Sequence, residues 1–257
     1  MRRLAIVVSY DGTAYNGFQT QPAGNTIQDC LERAIEHLTG ERVRVTAAGR
    51  TDAGVHARRQ VVHFDTASRI PAERWCLALN ARLPDDIVAL DAREVPADFH
   101  ARRSAKSKTY AYTVNTNRFP DVLRRRTELH YPRPLDVVAM ERALACIIGT
   151  HDFTSFCSAR TACESRVRTI YAAWIERLGD RCPEMEGVYR IFVKGSGFLY
   201  HMVRMIVGTL LEIGDGRRDP SEMQAILEAR DPRRSKTTAM AHGLALWDVE
   251  YEPDVFS

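Results

Sequence analysis

Apolar positions follow two rhythms along this chain. Leu4-Ala5-Ile6-Val7-Val8 is a β-rich run that stops at the turn signal Asp11-Gly12. Ile27, Leu31, Ala34, Ile35 and Leu38 then recur at helical spacing, with Asn25 and Thr26 as candidate caps and Gly40 as the stop. Val43–Thr46 reads as a strand, as does Gln60–Asp65, which puts Val61 and His63 on one face and Val62 and Phe64 on the other. Pro71–Arg82 predicts a helix with proline at its tolerated first position, and Asp86–Val95 a further strand.

The second half runs through a similar order. Thr109–Val114 alternates, with Tyr110, Tyr112 and Val114 sharing a face. Val137, Met140, Leu144 and Ile147 stripe a helix over Asp136–Ile148, closed by Gly149. Val167–Leu178 and Val188–Val193 read as strands, Phe198–Ile213 as a strongly apolar helix, Ser221–Arg230 as an extra helix and Leu244–Tyr251 as a last strand. Each half therefore spells strand, helix, strand, strand, helix, strand, the split β-α-β arrangement. The expected class is α+β, with two similar ferredoxin-like domains, residues 1–104 and 105–257. The join falls where apolar content drops and Arg102, Arg103, Lys106 and Lys108 cluster.

Composition narrows the class. With 257 residues, 45% hydrophobic and 27% charged, the chain is neither disordered nor fibrous as a whole. It has no apolar run near the ~20 residues that span a bilayer, so no membrane partner is expected. Behind Met1-Arg2-Arg3 only five apolar residues precede Ser9, too few for a secretory signal core, and a cytoplasmic location is expected. The six cysteines include no Cys-x-x-Cys and no pairing with histidine at zinc-ligand spacing, so reduced thiols and no structural metal are expected. Net charge is only +3, but just four of the 36 basic residues are lysine. Arginine grips phosphate with a two-pronged fork. The knots Arg58-Arg59, Arg102-Arg103, Arg124-Arg125-Arg126, Arg217-Arg218 and Arg233-Arg234 are phosphate-binding surface if they converge and solvated charge if they scatter.

Three segments carry candidate chemistry. Gly49-Arg50-Thr51-Asp52-Ala53-Gly54-Val55-His56-Ala57 lies between two strands and sets a carboxylate among an arginine, a histidine and two glycines. Asp52 there is either a reactive group or an Asx residue that shapes the loop. The loop Asp11–Gln19 interleaves Tyr15 and Phe18 with polar residues. It is either a surface that stacks bases or a glycine-rich turn with two anchoring aromatics. On the apolar helix, Arg204 falls outside the stripe formed by Leu199, Met202, Val203, Ile206, Val207 and Leu210. A charge there needs an anionic partner, structural or reactive.

These residues, in order, resemble the TruA-type tRNA pseudouridine synthases. The resemblance takes in Tyr10-Asp11-Gly12, Gly17-Phe18-Gln19, the Gly49–Ala57 loop, Gln60-Val61-Val62-His63-Phe64 and Asp98-Phe99-His100-Ala101-Arg102. It continues through Lys108-Thr109-Tyr110-Ala111-Tyr112, His151–Phe156, Phe198–Arg204 and His242-Gly243-Leu244. Two departures stand out: Arg59 where the family has a glycine, and Lys108-Thr109 where its lead-in is richer in arginine.

The resemblance implies an isomerase that converts uridine to pseudouridine at positions 38, 39 and 40 of the tRNA anticodon stem-loop. It implies no cofactor or metal, a homodimer crossed by the tRNA, and an active-site cleft between the two domains. Asp52 would be the catalytic carboxylate and Arg204 the cation paired with it. Tyr110 would stack on the uracil, Leu244 would pack on its other side, and Arg50 would help extrude the base. Two other classes fit parts of the pattern. A catalytically silent RNA-binding protein or chaperone would not require Asp52, Tyr110 and Arg204 together. A glycoside hydrolase usually needs two carboxylates, and the loop holds one.

Overall fold

The computed structural model describes residues 1–158 and 164–256. In chain order its main elements are β1 (Arg2–Tyr10), α1 (Ile27–Thr39), β2 (Thr46–Ala47), β3 (His56–Thr66), α2 (Trp75–Asn80), β4 (Ile87–Val95), β5 (Ala105–Asn115), β6 (Leu129–His130) and α3 (Val137–Ala145). There follow β7 (Gly149–Asp152), β8 (Val167–Arg177), β9 (Val188–Gly195), α4 (Met202–Gly214), α5 (Glu222–Ala229) and β10 (Leu244–Tyr251). The class is mixed α+β. By contact the chain divides into two compact units, Met1–Lys108 with Ala245–Ser257, and Thr109–Leu244.

In the first unit the strand order is β4-β1-β3-β10, with β2 also paired to β3. β1 is hydrogen-bonded on both sides, and Leu4, Ala5, Ile6, Val7 and Val8 are all at most 1% exposed, so both faces of the strand are covered. The face carrying Leu4 and Ile6 also carries Val62 and Phe64 from β3, and Trp75 of α2 meets Phe64 edge-on at 5.3 Å. The opposite face carries Ala5 and His63, and Phe99 packs edge-on against His63 at 6.2 Å. Helix α1 begins with a capping box: the Thr26 hydroxyl accepts from the Asp29 N–H, and the Asp29 carboxylate accepts from the Thr26 N–H.

The second unit orders its strands β5-β9-β8-β7, with β6 on β5. Its core helix is α4, buried almost all round, which is why its sequence is apolar on most sides.

Several expected boundaries move, each for a local reason. The Val43–Thr46 strand shrinks to Thr46–Ala47, because the Val45 N–H is taken by the Glu32 carboxylate at 2.9 Å and the ladder starts only at Thr46. The apolar helix starts at Met202 and not at Phe198, because His201 holds a left-handed φ of 65° that breaks the helical path. Gly149 does not close α3, which ends at Ala145; it opens β7 opposite Ile170 of β8. Pro71–Arg82 begins as a 3-10 turn and is α-helical only over Trp75–Asn80. The last strand, expected to serve the C-terminal half, pairs in parallel with β3 through Ala245↔His56 and Leu246↔Ala57. Cys30, Cys76, Cys146, Cys157 and Cys182 are free thiols, and Cys163 lies outside the described residues.

Candidate active site

The Gly49–Ala57 loop is held by neighbours on several sides. At its start, the Gln60 side chain donates to the Gly49 carbonyl at 2.6 Å, while its amide oxygen accepts the Gly49 N–H at 3.2 Å. The buried Thr51 hydroxyl shares a hydrogen bond with the Tyr10 hydroxyl at 2.8 Å, and the Thr51 carbonyl accepts the Phe18 N–H at 3.0 Å. The Asp52 carbonyl accepts the Val55 N–H at 3.1 Å, which closes a β-turn through Ala53 and Gly54. Asp52 therefore sits, half-buried, on a turn whose preceding residue is locked.

The Asp11–Gln19 loop supplies much of that lock. Tyr15 and Phe18 are buried, so they anchor the loop and do not present faces for stacking. Its glycines allow the close approach. A side chain at Gly12 would meet the Val55 carbonyl oxygen at 2.0 Å. One at Gly17, where φ is 86°, would meet the Thr51 carbonyl oxygen at 2.7 Å. The Gly12 N–H reaches His56 Nδ1 at 3.1 Å, and Asp11 Oδ1 lies 3.1 Å from the same nitrogen. Burial pushes the Tyr10 hydroxyl up to about 12, against the pull of its bonds to Thr51 and Gln60, so it is a protonated anchor at ordinary pH.

The other expected residues are placed as follows. Arg50 is exposed beside Thr51. Arg59 stands in a register shift of β1 on β3 that sets Arg58 and Arg59 opposite Ser9. It points outward to Asp248 at 3.1 Å, and Arg58 lies over the Trp247 ring at 4.5 Å. In the second unit, Tyr110 is buried on β5 with its ring edge-on to Phe198 at 4.9 Å. Arg204 donates through Nε to the Ala239 carbonyl at 2.8 Å, while the Tyr112 hydroxyl donates to the next carbonyl, Met240, at 2.8 Å. Arg204 and Tyr112 thus grip the same segment, which leads to the buried Leu244 at the start of β10. Sequence reasoning missed Tyr10, Gln60, Phe198 and Tyr112 as supports. Tyr10, Gln60 and Tyr112 stand inside sequence motifs whose pattern marks strands and loops, and Phe198 lies just ahead of α4, where the apolar run suggests helix.

The arginine knots divide. Arg217 pairs with Asp215 at 2.8 Å, Arg218 with Glu212 at 2.5 Å, Arg233 with Asp231 at 2.9 Å and Arg124 with Glu128 at 3.1 Å. Arg102 and Arg103 lie exposed on the turn before β5.

Comparison with known proteins gives this arrangement a context. A family model described as tRNA pseudouridine synthase matches residues 6–102 and 143–252, a span that includes Asp52, Arg204 and Leu244. Proteins named tRNA pseudouridine synthase A resemble the chain throughout. The one from Brevibacillus brevis is 49% identical over 251 residues, 98% of this chain and 100% of its own. Those from Halalkalibacterium halodurans and Bacillus subtilis are 51% identical over 245 residues and 48% over 252, covering 95% and 97% of this chain and 90% and 99% of theirs. With a family model matching both parts of the chain and relatives about half identical over nearly its whole length, the chain belongs to the tRNA pseudouridine synthase family.

Proposed function

We propose that this enzyme isomerises uridine to pseudouridine at positions 38, 39 and 40 of the tRNA anticodon stem-loop, with Asp52 as its catalytic carboxylate. The observation that carries the reading is the turn at Asp52: Tyr10 and Phe18 hold Thr51, and Val55 holds the Asp52 carbonyl, so the backbone that carries the loop's carboxylate is fixed. Rigid presentation of one reactive group is what an isomerase that must hold C1′ of a sugar at attack distance requires.

In the proposed reaction the N1–C1′ bond breaks, the uracil turns, C5 bonds to C1′ and loses its proton, and N1 takes up a proton. Reactant and product have the same composition and oxidation state, so the chemistry consumes no cofactor. Asp52 works as the carboxylate, and Arg204 is assigned to keep it ionised as its paired cation. Tyr110 is assigned to stack on the uracil and to handle the C5 proton through its hydroxyl. Arg50 is assigned to open the stem and Leu244 to cover the base. The enzyme is read as a cytoplasmic homodimer of two ferredoxin-like domains, residues 1–104 and 105–257. The succession β1-α1-β2-β3-α2-β4 and the order β4-β1-β3-β2 support that reading for the first domain.

The test is tritium release from tRNA labelled at C5 of uridine. Wild type releases tritium and forms pseudouridine in the stem-loop; Asp52→Asn binds the same tRNA and releases none. Turnover by purified Asp52→Asn, or binding without release by wild type, overturns the catalytic reading.

A further inference from the structure

Lys108, at the end of the first unit, is an anomaly of charge. It is 7% exposed, yet among the described residues its ammonium has no hydrogen bond and no ion pair. A buried ammonium without a counter-charge is costly, and native folds normally supply a carboxylate. The carboxylates along this part of the unit are engaged elsewhere. Asp65 accepts from Nε and Nη2 of Arg3, each at 2.8 Å, Glu250 accepts the Ser107 hydroxyl at 2.8 Å, and Glu252 lies 3.7 Å from Lys106. The neighbouring charge that acts on Lys108 is another cation, Arg102. Burial, and after it Arg102, pull the lysine down to about 8.

Arg102 does not sit on a loose loop. The Arg102 and Arg103 N–H groups donate to His100 Nδ1 at 3.2 and 3.3 Å. The Ser104 N–H donates to the His100 carbonyl at 2.9 Å, and the Ser104 hydroxyl accepts the His100 N–H at 3.0 Å. Ala101 is pinned on both sides: its N–H donates to His63 Nδ1 at 3.2 Å, and its carbonyl accepts the Tyr251 hydroxyl at 2.7 Å. The turn therefore fixes the backbone from which the exposed Arg102 side chain projects, six residues ahead of the buried Lys108.

We infer that Lys108 and Arg102 together form a phosphodiester site, at which one backbone phosphate of the RNA substrate supplies the counter-charge that the protein withholds. The lysine offers a point charge and the arginine a two-pronged donor set, a combination suited to a phosphate with two unesterified oxygens. The inference rests on RNA being the substrate but not on the chemistry assigned to Asp52.

The experiment is tRNA binding to the full-length protein across a salt series, with Lys108→Met, Arg102→Gln and the double variant, and with melting temperature and single-turnover tritium release on the same preparations. Each single variant is expected to weaken binding about three- to tenfold and to reduce the slope of log affinity against log salt by roughly 0.7–0.9, the loss of one phosphate contact. The double variant should fall little further, because both side chains serve one phosphate. Lys108→Met should melt no lower than wild type, since it removes a buried charge that has no partner among the described residues of the free protein. Unchanged affinity and slope in Lys108→Met, or full additivity in the double variant, overturns the shared site. Arg102→Gln alters only an exposed side chain and keeps the test valid should Lys108→Met fold poorly. A wild type that binds tRNA without releasing tritium refutes the catalytic reading while leaving this measurement intact; a wild type that does not bind tRNA refutes both.

Discussion

The Tyr10 hydroxyl lies 2.8 Å from the Thr51 hydroxyl, and the next residue in the chain is Asp52. A tyrosine on β1 thus fixes the backbone from which the proposed catalytic carboxylate projects. Tyr10→Phe keeps the buried ring and removes the bond, which strands the Thr51 hydroxyl. The expected cost is about 1–2 kcal/mol of stability. We expect kcat to fall on the order of tenfold with KM little changed, since the carboxylate is displaced but the binding surface is not. Steady-state kinetics beside a thermal melt checks this; a stable variant with wild-type kcat would show that the anchor does not position Asp52.

Gly17 tests the same cradle from its other side. With φ at 86° and only 2.7 Å between a new Cβ and the Thr51 carbonyl oxygen, Gly17→Ala must move the Thr51–Ala53 backbone or its own. Activity should drop at least a hundredfold, well beyond the loss of tRNA affinity. Equal losses in kcat/KM and in affinity would locate the damage in binding instead.

His63 sets an acid limit on the fold. Burial, and after it the charges of His100 and Arg3, pull its imidazole from an ordinary 6.5 down to about 4, and its Nδ1 accepts the Ala101 N–H. Below pH 6.5 the unfolded chain takes up a proton that the folded chain refuses until about pH 4. Stability is therefore full above pH 6.5 and is lost as the pH falls toward 4. The loss is on the order of 3 kcal/mol at 1.36 kcal/mol per unit. Melting wild type and His63→Gln between pH 7 and pH 4 separates this loss from the general effect of carboxylates. The variant should start lower and decline less steeply; parallel curves would show that His63 does not set the limit.

Arg204 contacts the Ala239 carbonyl through Nε, the one guanidinium nitrogen that a lysine cannot imitate at that position along the side chain. Arg204→Lys keeps the charge and loses that bond. If the remaining guanidinium nitrogens serve Asp52, single-turnover rate should fall by two or more orders of magnitude while the melting temperature changes by only a few degrees. A destabilised variant with a wild-type single-turnover rate would confine Arg204 to the fold.

Tyr110→Phe keeps the ring edge-on to Phe198 and removes only the hydroxyl. Product formation should collapse with affinity unchanged if that hydroxyl handles the C5 proton. A variant as fast as wild type would leave Tyr110 as a stacking surface alone.

Local signals in the sequence determined much of this protein. The apolar stripe, the Thr26–Asp29 capping box and Gly40 define α1, because a helix and its ends are specified by residues within four positions of each other. The Gly49–Ala57 loop was legible as a candidate site because a carboxylate between two glycines and two strands is an unusual local composition. What depends on partners distant in sequence was not legible. Val43–Thr46 has strand character, but a carboxylate on α1 takes the Val45 N–H and shortens the ladder. Leu244–Tyr251 was readable as a strand, but only tertiary pairing chose β3 as its neighbour. Five basic knots look alike in sequence, and only folding matched Arg217, Arg218 and Arg233 with carboxylates while leaving Arg102 exposed and burying Lys108. Charge pairing and burial are set by which groups the fold brings within a few ångströms, and residue order along the chain does not carry that distance.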